Sequence, residues 1–155
     1  MCKNLVEKGQ LGKPLIIFNR TEKRAIDLSK ILPTGESIIA SSVGEAVSSA
    51  DIIFTCVGDD DAIDSTIDEA LKVDVTGKLF VDCSTVHPET TEGLARRITE
   101  AGAGFVAGPV FGAPAMADSG KSTDVHTYMA WSSSKRHDHF FPGRVYTSII
   151  RRTIY

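Results

Sequence analysis

The sequence predicts an α/β protein built on a doubly wound parallel sheet. Three apolar runs carry this expectation, at residues 15–18, 51–57 and 79–83. Each stops at a polar or glycine turn, and a segment of helical period follows. Uninterrupted apolar strands are buried on both faces. That pattern belongs to parallel strands covered by crossover helices.

Each element follows from its own residues. Residues 1–9 read as the back end of a helix, with Leu5 and Val6 apolar and Gly9 as a C-cap. Residues 15–18 form the first strand. Residues 21–32 carry Ala25, Ile26, Leu28, Ile31 and Leu32 at helical spacing, and Pro33 with Gly35 ends the helix. A weak strand at 37–40 and a short helix at 43–49, capped by Ser42, come next. The second strong strand, 51–57, breaks at Gly58, and Asp59 to Asp61 open a helix reaching about Lys72. The third strong strand, 79–83, leads through Ser84, Thr85, Val86 and His87 to Pro88, which suits a helix first turn. That helix carries Leu94, Ala95 and Ile98 and ends near Gly102, with Gly102-Ala103-Gly104 as its C-cap and turn. A last strand at 105–110 runs into a loop at 111–120.

Composition changes after Gly120. Lys121, Lys135, Arg136, Arg144, Arg151 and Arg152 stand against Asp124 and Asp138. The segment also holds Trp131 and most of the histidines. Residues 121–155 therefore read as a mostly irregular basic tail, apart from a short element at 146–150.

Bulk properties exclude several classes. The chain has 155 residues, enough for one domain. Its 42% hydrophobic and 24% charged content is that of an ordinary globular protein. A net charge of −3 gives no reason to expect nucleic acid or an anionic membrane as partner. No apolar run approaches the ~18 residues of a membrane span. The N-terminus lacks the apolar core of a signal peptide. Cys2, Cys56 and Cys83 are odd in number and widely spaced, which disfavours a disulfide framework or a zinc site. An intracellular, cytoplasmic protein with reduced thiols is the expectation.

Three stretches can carry chemistry. Asn19-Arg20-Thr21 follows the first strand, where an open α/β sheet reads its cofactor. An acid there would bond the ribose hydroxyls of NAD, whereas an arginine accommodates the 2′-phosphate of NADP. Arg20 can grip that phosphate in a bidentate fashion. Thr21 adds a hydroxyl and the N–H groups of a helix start, and Arg24 a second charge. A solvated arginine beside an ordinary N-cap accounts for the triplet equally well. At Val57-Gly58 a glycine between strand and helix permits close backbone approach to a ligand, or is simply a turn. Ser84 and Thr85 place two hydroxyls at a strand's carboxyl end, where they can meet a ligand or cap the next helix. Asp59-Asp60-Asp61 suits a helix first turn better than a metal, and His137-Asp138-His139 lacks spaced partner ligands. The dinucleotide fingerprint G-x-G-x-x-G is absent; Gly9 and Gly12 stand between a helix and a strand, the wrong context.

Over residues 1–120 these motifs together resemble the NADP-binding domain of 6-phosphogluconate dehydrogenase and the wider β-hydroxyacid dehydrogenase family. Asn4-Leu5 with Gly9 resembles the end of the family's first helix. Asn19-Arg20-Thr21 resembles its NADP-selecting triplet, and Cys56-Val57-Gly58 the place where backbone lies against the cofactor. Asp82-Cys83-Ser84-Thr85 with Pro88 resembles its D-x-S-T-x-x-P signature. Gly108 to Ala113 resembles its A-P-V-S-G-G substrate segment. The resemblance implies a Rossmann-like fold, NADP as cofactor, Thr85 near the nicotinamide, and Ser84 and Gly112 on the substrate side. It also implies hydride transfer to or from a small hydroxyacid or semialdehyde, with a lysine in a second domain as acid/base.

The departures carry expectations too. The family's first strand and glycine-rich loop would precede Met1. Phe111 and Ala113 replace a serine and a glycine of the substrate segment. No lysine-bearing, glycine-rich helix follows Gly120, so no catalytic residue is assigned and no turnover is expected from the chain alone. The alternatives are a non-catalytic NADP-binding or interaction fragment that associates with a full-length relative, and a truncated product without stable function. A frame change near Lys121, or alternative splicing, would produce the switch to a tail unlike the family. In the usual strand order the first strand is central. Without it, the strands at 15–18 and 51–57 must close on each other, or another segment must fill the gap.

Overall fold

The computed structural model describes residues 2–9 and 11–110, together with the backbone of a strand at Thr147–Ile150. In chain order the elements are α1 (Cys2–Lys8), β1 (Leu15–Phe18), α2 (Glu22–Ile31), β2 (Ser37–Ile39), α3 (Val43–Ser48), β3 (Ile52–Cys56), α4 (Asp60–Ala70), β4 (Leu79–Asp82), α5 (Pro88–Glu100), β5 (Gly104–Ala107) and β6 (Thr147–Ile150). The strands form one six-stranded sheet in the order β2-β1-β6-β3-β4-β5. Every neighbouring pair is parallel. This is the Rossmann-like architecture expected from the apolar runs.

The gap between β1 and β3 is filled by the tail. β6 pairs with β1 from Ile16↔Thr147 to Phe18↔Ile149, and with β3 from Ile53↔Thr147 to Cys56↔Ile150. The two rows of backbone groups that would otherwise lie unpaired in the middle of the sheet are thereby satisfied. The expected short element at 146–150 is this strand, so part of the tail belongs to the sheet. The rest of 121–155, Gly112 and the whole substrate segment beyond Val110 lie outside the described residues.

Two hydrophobic clusters flank the sheet. One joins Ile53, Ile63, Ile67, Phe80, Leu94, Ile98 and Phe105 from α4, α5 and strands β3 to β5. The other joins Cys2, Leu15, Ile17, Ala25 and Leu32 from α1, β1 and α2. α3 packs against both β1 and β6. Arg97 of α5 ties the outer faces together, donating to Asp64 at 2.9 Å and to Asp68, both on α4.

The boundaries have local causes. α5 starts at Pro88, whose missing N–H costs nothing at that position. Gly102, at φ +85°, turns the chain at its other end, where a side chain would be strained. β5 ends at Ala107, short of the expected Val110: Gly108 N–H still donates to Asp82 O at 2.7 Å, but Val110 N–H turns to Cys83 O at 3.3 Å and the regular register is lost.

Proline at Ser148 would remove a ladder N–H and leave its partner carbonyl unpaired in the middle of the sheet. Ser148→Pro should cost about 2 kcal/mol or more of unfolding free energy. A urea titration followed by circular dichroism checks this; an unchanged midpoint would contradict the central placing of β6.

Candidate cofactor site

Because all strands run the same way, the turns after β1, β3 and β4 share one edge of the sheet. Asn19-Arg20-Thr21, Val57-Gly58 and Ser84-Thr85 are thus brought to one side. β1 and β3 stand two strand spacings apart across β6, about 10 Å. This edge is where open α/β sheets bind their ligands.

At the β1 corner, Asn19 Oδ1 accepts from Thr21 N–H at 2.9 Å, a local turn that leads the strand into α2. Arg20, Thr21 and Arg24 are exposed. Thr21 stands at the N-cap of α2 in extended conformation, yet its side chain makes no capping hydrogen bond. The next two helices differ: Ser42 accepts from Glu45 N–H at 3.1 Å, and Asp59 from Ala62 N–H at 2.8 Å. The start of α2 therefore presents N–H groups that a side chain would normally take. Among the described residues Arg20 makes no hydrogen bond or ion pair. The corner offers an arginine and a helix start to an anion. Glu22 in the first turn is the opposing charge.

The β3/β4 corner has a different character. Thr55, Asp82 and Ser84 are buried, at 1%, 3% and 5% exposure. Thr55 Oγ1 donates to Asp82 Oδ1 at 2.8 Å, and Ser84 N–H donates to the same oxygen at 3.1 Å. Ser84 Oγ in turn accepts from Val57 N–H at 3.0 Å. This geometry changes what two of the expected residues can offer. The Val57 amide is already engaged inside the protein, so exposed Gly58 is the part of that turn open to a ligand. Ser84 lies beneath the turn and is engaged with it. Thr85 is exposed beside it, and caps nothing: α5 has His87 at its N-cap and no side-chain cap bond.

Asp60 joins the two turns from the side. Its Oδ1 accepts from Thr90 Oγ1 at 2.5 Å and from His87 N–H at 3.0 Å. These bonds, Thr90's first, hold its carboxyl below the usual carboxylate range. Neither the Asp60 link nor the Asp82 junction follows from spacing. The available signal was Thr55 and Asp82, polar residues at the inner positions of two otherwise apolar strands. Among the described residues no group of His, Cys, Asp or Glu is arranged to hold a metal, and no helix is long and apolar enough to cross a membrane.

The fold and these turns match a known family. The family profile for the NAD-binding domain of 6-phosphogluconate dehydrogenase covers residues 1–127, and the chain belongs to that family. It is 44% identical over 117 residues to the NADH-dependent oxidoreductase ucdB of Aspergillus ustus, covering 76% of this chain and 40% of that protein. It is 32% identical over 126 residues to mitochondrial 3-hydroxyisobutyrate dehydrogenase of Mus musculus, covering 79% of this chain and 36% of the relative. The chain thus spans well under half the length of these relatives. Among solved structures, an imine reductase from Myxococcus stipitatus in complex with NADP+ superposes with a TM-score of 0.63 at 24% identity, over 74% of this chain and 38% of the other. A reductive aminase from Aspergillus terreus, in complex with NADPH4, cyclohexanone and allyl amine, gives 0.63 at 19% identity, over 74% and 38%. These likenesses establish the fold. The chain is the NAD(P)-binding domain of a hydroxyacid dehydrogenase-like oxidoreductase family.

The thiols at this edge are quiet. Burial, with the neighbouring Cys56 and the Asp82 charge, pushes the Cys83 thiol up to about 12. Burial, then Asp82, also raises Cys56. A raised thiol stays protonated in the folded chain while the unfolded chain releases its proton. Its contribution to stability is therefore intact below the ordinary thiol value of 9.0 and is lost as pH climbs towards about 12. Unfolding free energy should fall between about pH 9 and about pH 12, and Cys83→Ala should flatten that fall. Urea titrations across the range check it; an equally steep fall in the variant would contradict the assignment.

Proposed function

We propose that this chain binds NADP in preference to NAD, with Arg20 gripping the 2′-phosphate. One observation carries the reading: an arginine without a partner among the described residues stands beside a helix start that its own N-cap threonine leaves open. The ordinary N-cap account of the triplet has no hydroxyl-to-amide bond to rest on. In this reading Asn19 shapes the turn, Arg20 and Thr21 hold the phosphate, and Arg24 adds positive charge one turn on. Gly58 lies under the dinucleotide, and Thr85 offers its hydroxyl on the nicotinamide side. The NADP+ and NADPH4 named in the structures of like fold agree with it.

The whole protein of which this domain forms a part is, in this reading, a dehydrogenase of small hydroxyacids or semialdehydes. Its likeness to 3-hydroxyisobutyrate dehydrogenase supports that. The cofactor, when bound, would accept a hydride from the hydroxyacid as NADP+ or return one to the semialdehyde as NADPH. In this reading the domain's part is to hold the cofactor, while the family resemblance puts the acid/base lysine in a second domain. Ser84 and Gly112 belong to the substrate side in the family resemblance; the bond from Val57 N–H gives Ser84 a second task. A second reading, NAD as the cofactor, rests on the relative from Aspergillus ustus, which is named for NADH.

Fluorescence titration with NADPH and NADH separates the two. NADPH should bind about tenfold or more tightly, and Arg20→Ala should erase most of that margin, since a charge-assisted bond to phosphate is worth about 1.5–3 kcal/mol. Equal affinities in the unaltered chain would remove the role given to Arg20. Binding of NADH alone would establish the second reading.

A further inference from the structure

The buried junction between β3 and β4 does more than join two strands. Thr55 and Asp82 are register partners, so their side chains meet inside the sheet layer. A carboxyl group at 3% exposure is costly unless it is hydrogen-bonded. The neighbours of these strands are apolar: Ile53, Val57, Phe80 and Phe105 fill the same cluster. A plain strand-to-strand staple would need only the Thr55 bond. Asp82 Oδ1 also takes the Ser84 amide, which belongs to the turn beyond the strand. That amide bond sets the direction of Ser84, whose hydroxyl oxygen then receives Val57 N–H at 3.0 Å. The next residues outward, Gly58 and Thr85, are exposed. The chain of bonds therefore runs from the core to the two turns that flank the dinucleotide.

We propose that Asp82 is a positioning residue for the cofactor: through Ser84 it locks the Val57-Gly58 turn in the shape on which the dinucleotide lies. The proposal rests on the cofactor-binding reading above. With the Val57 amide held from beneath, the turn is formed before the ligand arrives. Binding then loses less to ordering of the loop. Gly58 carries the contact by close approach of its backbone. The Val57 amide is not a phosphate donor.

The relay predicts non-additive effects, since partners in one hydrogen-bond network couple. In the full chain, Asp82→Asn and Ser84→Ala should each weaken NADPH binding about fivefold to tenfold. The double variant should be no weaker than the weaker single variant. Without cofactor, Val57 amide hydrogen exchange should speed up in both single variants, while Phe80 in the same strand pair keeps its protection. Multiplying losses in the double variant, or an unchanged Val57 amide in Asp82→Asn, would overturn the proposal. Should Asp82→Asn fail to fold, Ser84→Ala cuts the same relay at its second bond; an unchanged Val57 amide there overturns it equally. If the unaltered chain binds neither dinucleotide, the cofactor reading fails, and the Val57 exchange rates still decide whether the relay exists.

Discussion

The parallel pairing of β6 between β1 and β3 is the constraint on which the rest of the molecule depends. A Rossmann-like sheet is strongest at its centre, where each strand satisfies hydrogen bonds on both sides. Here the centre is held by Thr147–Ile150, far along the chain from its neighbours. Remove that strand and β1 loses its hydrogen-bonded link to β3, leaving only Phe18 and α3 to join it to the larger cluster on β3, β4 and β5. The two turns on either side of β6 would then lose their fixed spacing. The proposed recognition of a dinucleotide by both turns at once depends on that spacing.

The carboxyl edge divides its work between open and closed corners. The β1 corner is polar, exposed and left unsaturated: Arg20 has no protein partner among the described residues, and Thr21 leaves the helix start uncapped. The β3/β4 corner is buried and saturated, with Thr55, Asp82, Ser84 and Val57 bonded to one another. An open corner selects a charged ligand, because unsatisfied donors gain most from an anion. A closed corner fixes shape, because its groups have already met their partners. The raised thiols of Cys56 and Cys83 mark the same dryness and the same nearby carboxyl charge.

Much of the fold was legible in the sequence because its causes are local. The runs Leu15–Phe18, Ile52–Cys56 and Leu79–Asp82 are strands since nothing polar interrupts them. α5 begins at Pro88 and the chain turns at Gly102 for reasons visible in those residues alone. Other features depend on partners far away in the chain. Ile149-Ile150 suggests a strand, but no local pattern says that it enters between β1 and β3. Thr21 was recognisable as an N-cap residue; that its hydroxyl leaves the helix start open depends on the turn Asn19 makes. Ser84 looked like a ligand-facing hydroxyl because strand ends usually open outward. The pull of Asp82 on its amide turns it inward, and that pull exists only once β3 and β4 are in register.

The most direct measurement is amide hydrogen exchange of Ser148, Ile149 and Ile150 in the intact chain, set beside Ile17 and Ile53. If β6 holds the centre of the sheet, its amides exchange as slowly as those of its two neighbours, because all three open in the same cooperative unit. Exchange of the β6 amides at the rate of a free peptide, with Ile17 and Ile53 still protected, would contradict it. The sheet would then be closed in some other way, and the turns after β1 and β3 would stand at a different spacing.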